Sequence, residues 1–282
     1  MPRMDLSRTK KISRHFLLYA AAIFLCLYTL LPFADLVVIS LSKAGSLPTH
    51  LLDIQIKNLT TQNWAEVILK DRLWQPILNS IIVASIVVGV VLLVSLPASY
   101  TLSRWKSRHR RRVMYVLLIF RMIPSIALVV PLFLIITRFR LMDNVIGIAI
   151  AEIPLAVPFA VWLLKGYVDA VPTELEESAW IDGASVGRAM VSIVFPNCLP
   201  GILVTGVYTF LGGYINYIFS VVIARDKAIT LPVKIASYFA EHVIHYQNLA
   251  VATLIGLIPM IMLFGIIRKS MTRGLSIGAG FK

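Results

Sequence analysis

No Gly-x-x-x-x-Gly-Lys-Ser/Thr stretch occurs among the 282 residues, so the chain has no phosphate-cradling loop of that kind and cannot grip a nucleotide by that route. Charge is scarce as well. Asp, Glu, Lys and Arg make up 15% of the chain, against about 25% in soluble domains. Residues 73–103 and 189–224 contain no charged side chain at all. The two cysteines, Cys26 and Cys198, lie in or beside apolar stretches and supply neither a disulfide framework nor ligand spacing. Of the five histidines only His242 and His245 fall three apart, and with no Cys or further His beside them they read as a polar interfacial face rather than a metal site. No paired nucleophile and base stands within the apolar runs, which argues against an intramembrane enzyme, and no residue is assigned a catalytic role.

What is present is apolar. Hydrophobic residues make up 58% of the chain and the mean hydropathy is +0.82, values that belong to an integral membrane protein. The net charge of +13 invites a nucleic-acid reading, but in a membrane protein an excess of Lys and Arg first reflects cytoplasmic loops and anionic headgroups. Nucleic acid is therefore not an expected partner; membrane lipid is.

The runs predict six spans, over residues 16–41, 77–102, 113–137, 145–164, 201–224 and 249–267. Each is long enough for a bilayer, which takes about 20 apolar residues. The first is too long for the apolar part of a signal peptide and reads as an uncleaved helix. The expected fold is all-α and integral to the membrane: a segment 1–14, a six-span domain 15–270 that includes the polar loop 165–199, and a tail 271–282. The N-terminal segment, residues 104–112, the polar loop and the tail (268–282) carry 17 Lys and Arg, and the opposite segments carry 9. That bias places both termini and the polar loop in the cytoplasm.

The polar loop is the most informative stretch. Asp169, Glu174, Glu176, Glu177 and Asp182 are five of the fourteen acidic residues. Pro172 suits a first turn, residues 173–181 read as a helix, and Asp182-Gly183 is a turn signal. Ser185 is a plausible N-cap for a second helix over 185–194, on which Val186, Ala189, Met190 and Ile193 share one apolar face. Pro196 and Pro200 then break the chain. The result is a helix-turn-helix knob with an acidic shoulder, either a cap on the bundle or a docking element.

Glu177-Ser178-Ala179, Asp182-Gly183-Ala184, Ile193 and Pro196, at these spacings, resemble the EAA loop of the membrane subunits of bacterial ATP-binding-cassette importers. Ser178 replaces the usual first Ala, and Phe195 the usual Leu. Asn79-Ser80, the segment ITLPVKIASYF and the glycine-rich tail are similar to the carbohydrate-uptake group, of maltose (MalG-like) type. The resemblance implies that Glu177, Ala179, Asp182, Gly183, Ala184, Ile193 and Pro196 couple the chain to a cytoplasmic ATPase, with 278–282 a weaker contact. It implies four kinds of partner: a second related permease, an ATPase dimer, a periplasmic or lipid-anchored substrate-binding protein, and bilayer lipid. It also implies that ATP and Mg reside on the ATPase and that this chain binds no cofactor. The function expected is translocation of a sugar or glycoside across the bacterial inner membrane by alternating access.

Two ionisable residues stand within spans, Arg121 and Glu152. Such residues are costly in a bilayer and point to function. They are read either as a structural ion pair or as hydrogen-bonding groups for sugar hydroxyls, Arg121 nearer the inside and Glu152 nearer the outside. Tyr214, Asn216 and Tyr217, beside Gly212-Gly213 in the fifth span, complete the expected substrate path. An ion-coupled secondary transporter working through Arg121 and Glu152 is the alternative, and it predicts transport by this chain alone.

Overall fold

The computed structural model describes residues 6–43, 59–240 and 245–278, and among them every regular element is a helix. His242 and residues 279–282, named above, lie outside the described residues. The chain divides into two compact units, residues 1–71 with 238–255, and residues 72–237 with 256–282.

In the first unit, α1 (Leu6–Leu41) is exposed all round from residue 17 to residue 35. A helix apolar on every face and packed on none suits lipid or another subunit. Its end is held by α2 (Gln62–Ala65), whose Asn63 Nδ2 donates to the Ser40 and Ser42 carbonyls at 2.9 Å each. Tyr238 donates its hydroxyl to Asp71 at 2.5 Å in the same unit.

The second unit begins with α3 (Trp74–Arg104), α4 (His109–Arg121), α5 (Val129–Arg138) and α6 (Val145–Asp169). The short helices α7 (Glu174–Ile181), α8 (Val186–Ala189) and α9 (Phe195–Asn197) follow, then α10 (Leu199–Tyr214), α11 (Ile218–Ile223) and α12 (Leu231–Ala240), whose last three residues belong to the first unit. The last helix, α13 (Tyr246–Gly278), starts in the first unit and ends in the second. One core joins Val83, Val87 and Val91 of α3 to Ile148 and Ala151 of α6 and to Phe219. A second core, Tyr100, Val168, Val171, Val194 and Cys198, lies where the knob leaves the spans.

Among the described residues, four helical segments are long and apolar enough to cross a bilayer unaided: Leu17–Leu41, Trp74–Arg104, Val145–Asp169 and Tyr246–Gly265. Six spans are reached only when two bent pairs are each counted as one. The expected third span, 113–137, is not one rod. It bends by 89° between His109–Arg121 and Ser125–Arg138, because Pro124 has no amide hydrogen to give and sits in an extended conformation at ψ 131°. The expected fifth span, 201–224, is also broken. A 77° bend at Cys198 precedes it, α10 ends at Tyr214, and Asn216 Oδ1 accepts from the Phe219 amide at 3.2 Å to start α11 afresh.

At the end of the spans away from the knob, Asp143 holds a turn together. Its carboxylate accepts from the backbone amides of Arg225, Asp226, Lys227 and Ala228 at 2.9–3.1 Å. Burial alone would push the Asp143 carboxyl up, but these four donors outweigh it and hold the group well below the usual carboxylate range. Asn79 Nδ2 donates to the carbonyls of Lys227 and Ile229 at 2.8 Å, and Ser80 Oγ accepts from the Leu231 amide at 2.9 Å. Two of the stretches that carried the resemblance, Asn79-Ser80 and ITLPVKIASYF, thus bond directly to each other.

Candidate functional site

The knob is built as a helix, a glycine turn and a second helix. Helix α7 ends in a Schellman cap: the Ala184 amide bonds to the Ala179 carbonyl at 2.9 Å and the Gly183 amide to the Trp180 carbonyl at 3.0 Å. That closure requires the left-handed conformation at Gly183, where φ is +84°. Ser185 then caps α8 by accepting from the Arg188 amide at 3.3 Å. The second helix is not regular to residue 194; Met190–Val194 is a π-helical turn that runs into α9.

The expected apolar face divides in two. Ala189 is buried, Met190 is half-buried against the second core and Ile193 is half-buried, but Val186 points outward. Trp180 and Val186 are exposed beside Ile181, which is 86% exposed, so the tip of the knob is apolar and uncovered. Glu177 and Asp182 are exposed around it, Ala179 and Ala184 are half-buried, and Pro196 is exposed at the start of α9.

The acidic shoulder is smaller than expected. Glu176 is 1% exposed and cannot meet a partner. Its Oε1 accepts from Arg104 Nε at 2.7 Å and lies 2.5 Å from Nη2, while Oε2 accepts from the Tyr100 hydroxyl at 2.7 Å. Arg104 Nη2 also donates to the Val171 carbonyl at 2.9 Å. Beside this cluster Asp169 accepts from Ser103 Oγ at 2.5 Å and pairs with Lys165 one turn earlier. The knob is therefore bolted to the end of α3 by a buried, charge-assisted network. Sequence reasoning missed Arg104, because it stands 72 positions from Glu176 within a basic run that reads as surface charge.

A cavity of about 480 Å³ opens between α3, α4, α6 and α10. Arg121, Ser125, Glu152, Tyr208, Gly213 and Asn216 are among its walls. The structure brings Arg121, Glu152 and Asn216 to one space. It leaves Tyr214 and Tyr217 out: Tyr214 is buried with its hydroxyl on the Gly256 carbonyl at 3.1 Å, and neither residue lines the cavity.

Arg121 and Glu152 do not form an ion pair. Arg121 donates to the Tyr208 hydroxyl and lies over the Phe159 ring, 4.4 Å from its centroid. Two aromatic faces and one hydroxyl thus compensate a cation inside the spans. Glu152 is 5% exposed, and neither carboxylate oxygen has a hydrogen-bond partner. Along α6, Arg121 sits at Phe159, two turns nearer the knob than Glu152, which lies beside Gly213 further along α10 than Tyr208. Phe159 and Tyr208 were missed, although each carried a signal: Phe159 is two helical turns from Glu152, and Tyr208 is one turn before Gly212.

A cavity of this size falls in the range of small-molecule sites, about 300–1,000 Å³. Its mixture of aromatic faces, one cation, one carboxyl and an amide offers stacking and hydrogen bonds in several directions.

The family model for "Binding-protein-dependent transport system inner membrane component" matches residues 91–277. The trehalose/maltose transport system permease protein MalG of Thermococcus litoralis is 28% identical over 275 residues, covering 96% of this chain and 98% of that protein. The diacetylchitobiose uptake system permease protein DasC of Streptomyces coelicolor is 25% identical over 223 residues, covering 79% and 81%. Among solved structures, a bacterial ABC transporter involved in import of the acidic polysaccharide alginate matches with a TM-score of 0.73 at 20% identity, covering 95% of this chain and 99% of that one.

Proposed function

The chain belongs to the family of binding-protein-dependent transport system inner membrane components, and from that premise we propose that it is the permease subunit of an ATP-driven importer for a sugar or glycoside. The observation that carries this reading is the knob: an uncovered apolar tip around Gly183, held rigidly to the end of α3 through Glu176 and Arg104. A tip of that kind needs a partner, and a rigid mount lets the partner's movement reach the spans.

In this reading the partner is a cytoplasmic ATPase dimer that holds ATP and Mg. Trp180, Ile181 and Val186 enter its cleft, and Glu177 and Asp182 orient the approach by meeting basic groups. Ala179, Gly183, Ala184, Ile193 and Pro196 shape the knob. A second, related permease completes the path, a substrate-binding protein delivers cargo from outside, and both termini lie in the cytoplasm. The cargo is a carbohydrate because relatives named for trehalose, maltose and diacetylchitobiose uptake match over most of their length, and because Arg121, Glu152, Asn216 and the ring of Tyr208 suit hydroxyl-rich rings. Substrate passes as the two permeases rock between inward and outward openings.

Purification of the assembled complex, followed by identification of the ligand its binding protein retains, tests the substrate class. Proteoliposome uptake tests the energy source. ATP-dependent uptake of that ligand, insensitive to an ionophore, is the expected result; uptake by this chain alone that collapses with an ionophore would replace the reading with an ion-coupled carrier.

A further inference from the structure

The knob end of the second unit carries another cavity, of about 640 Å³, that shares only Lys165 with the features above. Lys106, Arg108, Arg110 and Arg111 line it together with Trp105 and Lys165. They converge because only residues 105–108 separate the end of α3 from α4, whose first turn is basic and holds no carboxylate. Arg110 Nη1 donates to the Ser103 carbonyl at 3.2 Å, which ties that first turn to the end of α3. The nearby carboxylate of Asp169 is engaged by Lys165 and Ser103. Among the described residues none of the four other cations forms an ion pair, and only Arg110 is close enough to feel the Asp169 charge.

Met114 and Lys165 belong equally to a second hollow, a groove of about 480 Å³ between α4 and α6. Trp162, Leu163 and Gly166 are among its other walls, with Asp169, already engaged by Lys165 and Ser103, at its edge. A Cβ added at Gly166 would meet no atom within 4 Å, so the groove floor is open. A basic pocket therefore continues into an apolar groove across two shared residues, one charged and one apolar.

We propose that the two hollows form one site for an anionic phospholipid, its phosphate among Lys106, Arg108, Arg110 and Arg111 and an acyl chain along Met114, Trp162 and Gly166. Basic pockets between membrane helices recognise anionic headgroups by charge, and the attraction is strongest within a Debye length of the bilayer surface. A zwitterionic headgroup brings its own cation into a pocket already lined by five. A free phosphate would use the pocket but leave the groove empty. Trp105, 41% exposed beside the pocket, has the amphipathic ring that favours headgroup depth. The site lies at the knob end because Arg104 and Glu176 fix the knob to the same helix end; it does not depend on what the transporter carries.

The test uses the full chain in detergent, with phosphatidylglycerol and phosphatidylcholine supplied at equal concentration and the retained lipid counted by native mass spectrometry. Preference for phosphatidylglycerol by about tenfold is expected. The triple variant K106Q/R108Q/R111Q should retain the two lipids equally. Gly166→Leu, which fills the groove and leaves every charge in place, should lower phosphatidylglycerol retention several-fold. Equal retention by the unaltered chain overturns the proposal, as for a groove that accepts any acyl chain or a protein surface. Displacement of the lipid by millimolar inorganic phosphate also overturns it, as the mark of a free-anion site. If the triple variant loses its helical circular dichroism, Gly166→Leu decides alone: unchanged phosphatidylglycerol retention in that variant rejects the site.

Discussion

The Arg104 guanidinium and the Glu176 carboxylate lie 2.5 Å apart at the junction of the knob with the spans, with Glu176 almost wholly buried. Removing one partner of such a pair leaves a stranded charge and costs about 3–5 kcal/mol, whereas an exposed pair contributes at most about 1 kcal/mol. Arg104→Gln and Glu176→Gln should each lower the thermal stability of the detergent-solubilised chain, Arg104→Gln more severely because it leaves the carboxylate buried. The double variant should be more stable than Arg104→Gln alone. In the assembled complex each single variant should also uncouple ATP hydrolysis from uptake.

Gly183 gives a prediction of the opposite kind. A Cβ there meets nothing within 4 Å, so a side chain has room, but φ is +84°. The cost of Gly183→Val is therefore backbone strain, about 1–2 kcal/mol, and it falls on the knob rather than on the spans. Thermal unfolding should change little, while co-purification with the ATPase and uptake should both drop. Gly183→Asn should be milder, since Asn tolerates the left-handed region. If Gly183→Val assembles and transports like the parent, the knob is not the docking element.

What was legible in the chain follows from the kind of signal each feature leaves. Span two was read because charge stops at Arg72 and returns at Arg104, and span four because Glu152 alone interrupts the apolar run between Asp143 and Lys165, which hydropathy detects. The knob turn was read because Asp182-Gly183 is local chemistry. The breaks after Arg121 and Tyr214 were not read, because an apolar run keeps its composition when the backbone turns through it. The Lys165–Asp169 pair is an i, i+4 spacing and was available to inspection; the Arg104–Glu176 pair is created only when α3 and α6 pack. Glu176 therefore looked like part of an exposed acidic shoulder when it is a buried anchor.

The Asp143 carboxylate makes stability depend on acid. Its folded value is depressed by the four amides of residues 225–228, so its contribution is fully present above the unfolded value of about 3.9 and is lost as pH falls through the folded one. Asp143→Ala should lower the melting temperature between pH 5 and pH 7 by an amount corresponding to about 1–2 kcal/mol, as for a lost cap. The gap between the variant and the parent should narrow only below about pH 4. A gap that is unchanged down to acid denaturation would show that shape, not charge, holds the turn.

Gly213 and Glu152 constrain each other at the wall of the membrane cavity. A Cβ at Gly213 would stand 3.1 Å from the Ala84 Cα and 3.1 Å from Glu152 Oε2. The first contact is backbone and can be relieved only by moving α10 away from α3; the second is a side-chain tip that can swing into the cavity. Gly213→Ala should therefore destabilise the chain, and Glu152→Ala should rescue only part of that loss in a double-mutant cycle. Glu152→Gln separates structure from transport. It keeps the shape, and because the carboxyl oxygens have no partner to lose, stability should hold or rise. If the carboxyl meets substrate hydroxyls, uptake should nonetheless fall, with a raised half-saturation concentration. Unchanged uptake kinetics together with unchanged stability would assign Glu152 neither role and leave Arg121 and Asn216 to define the polar side of the cavity.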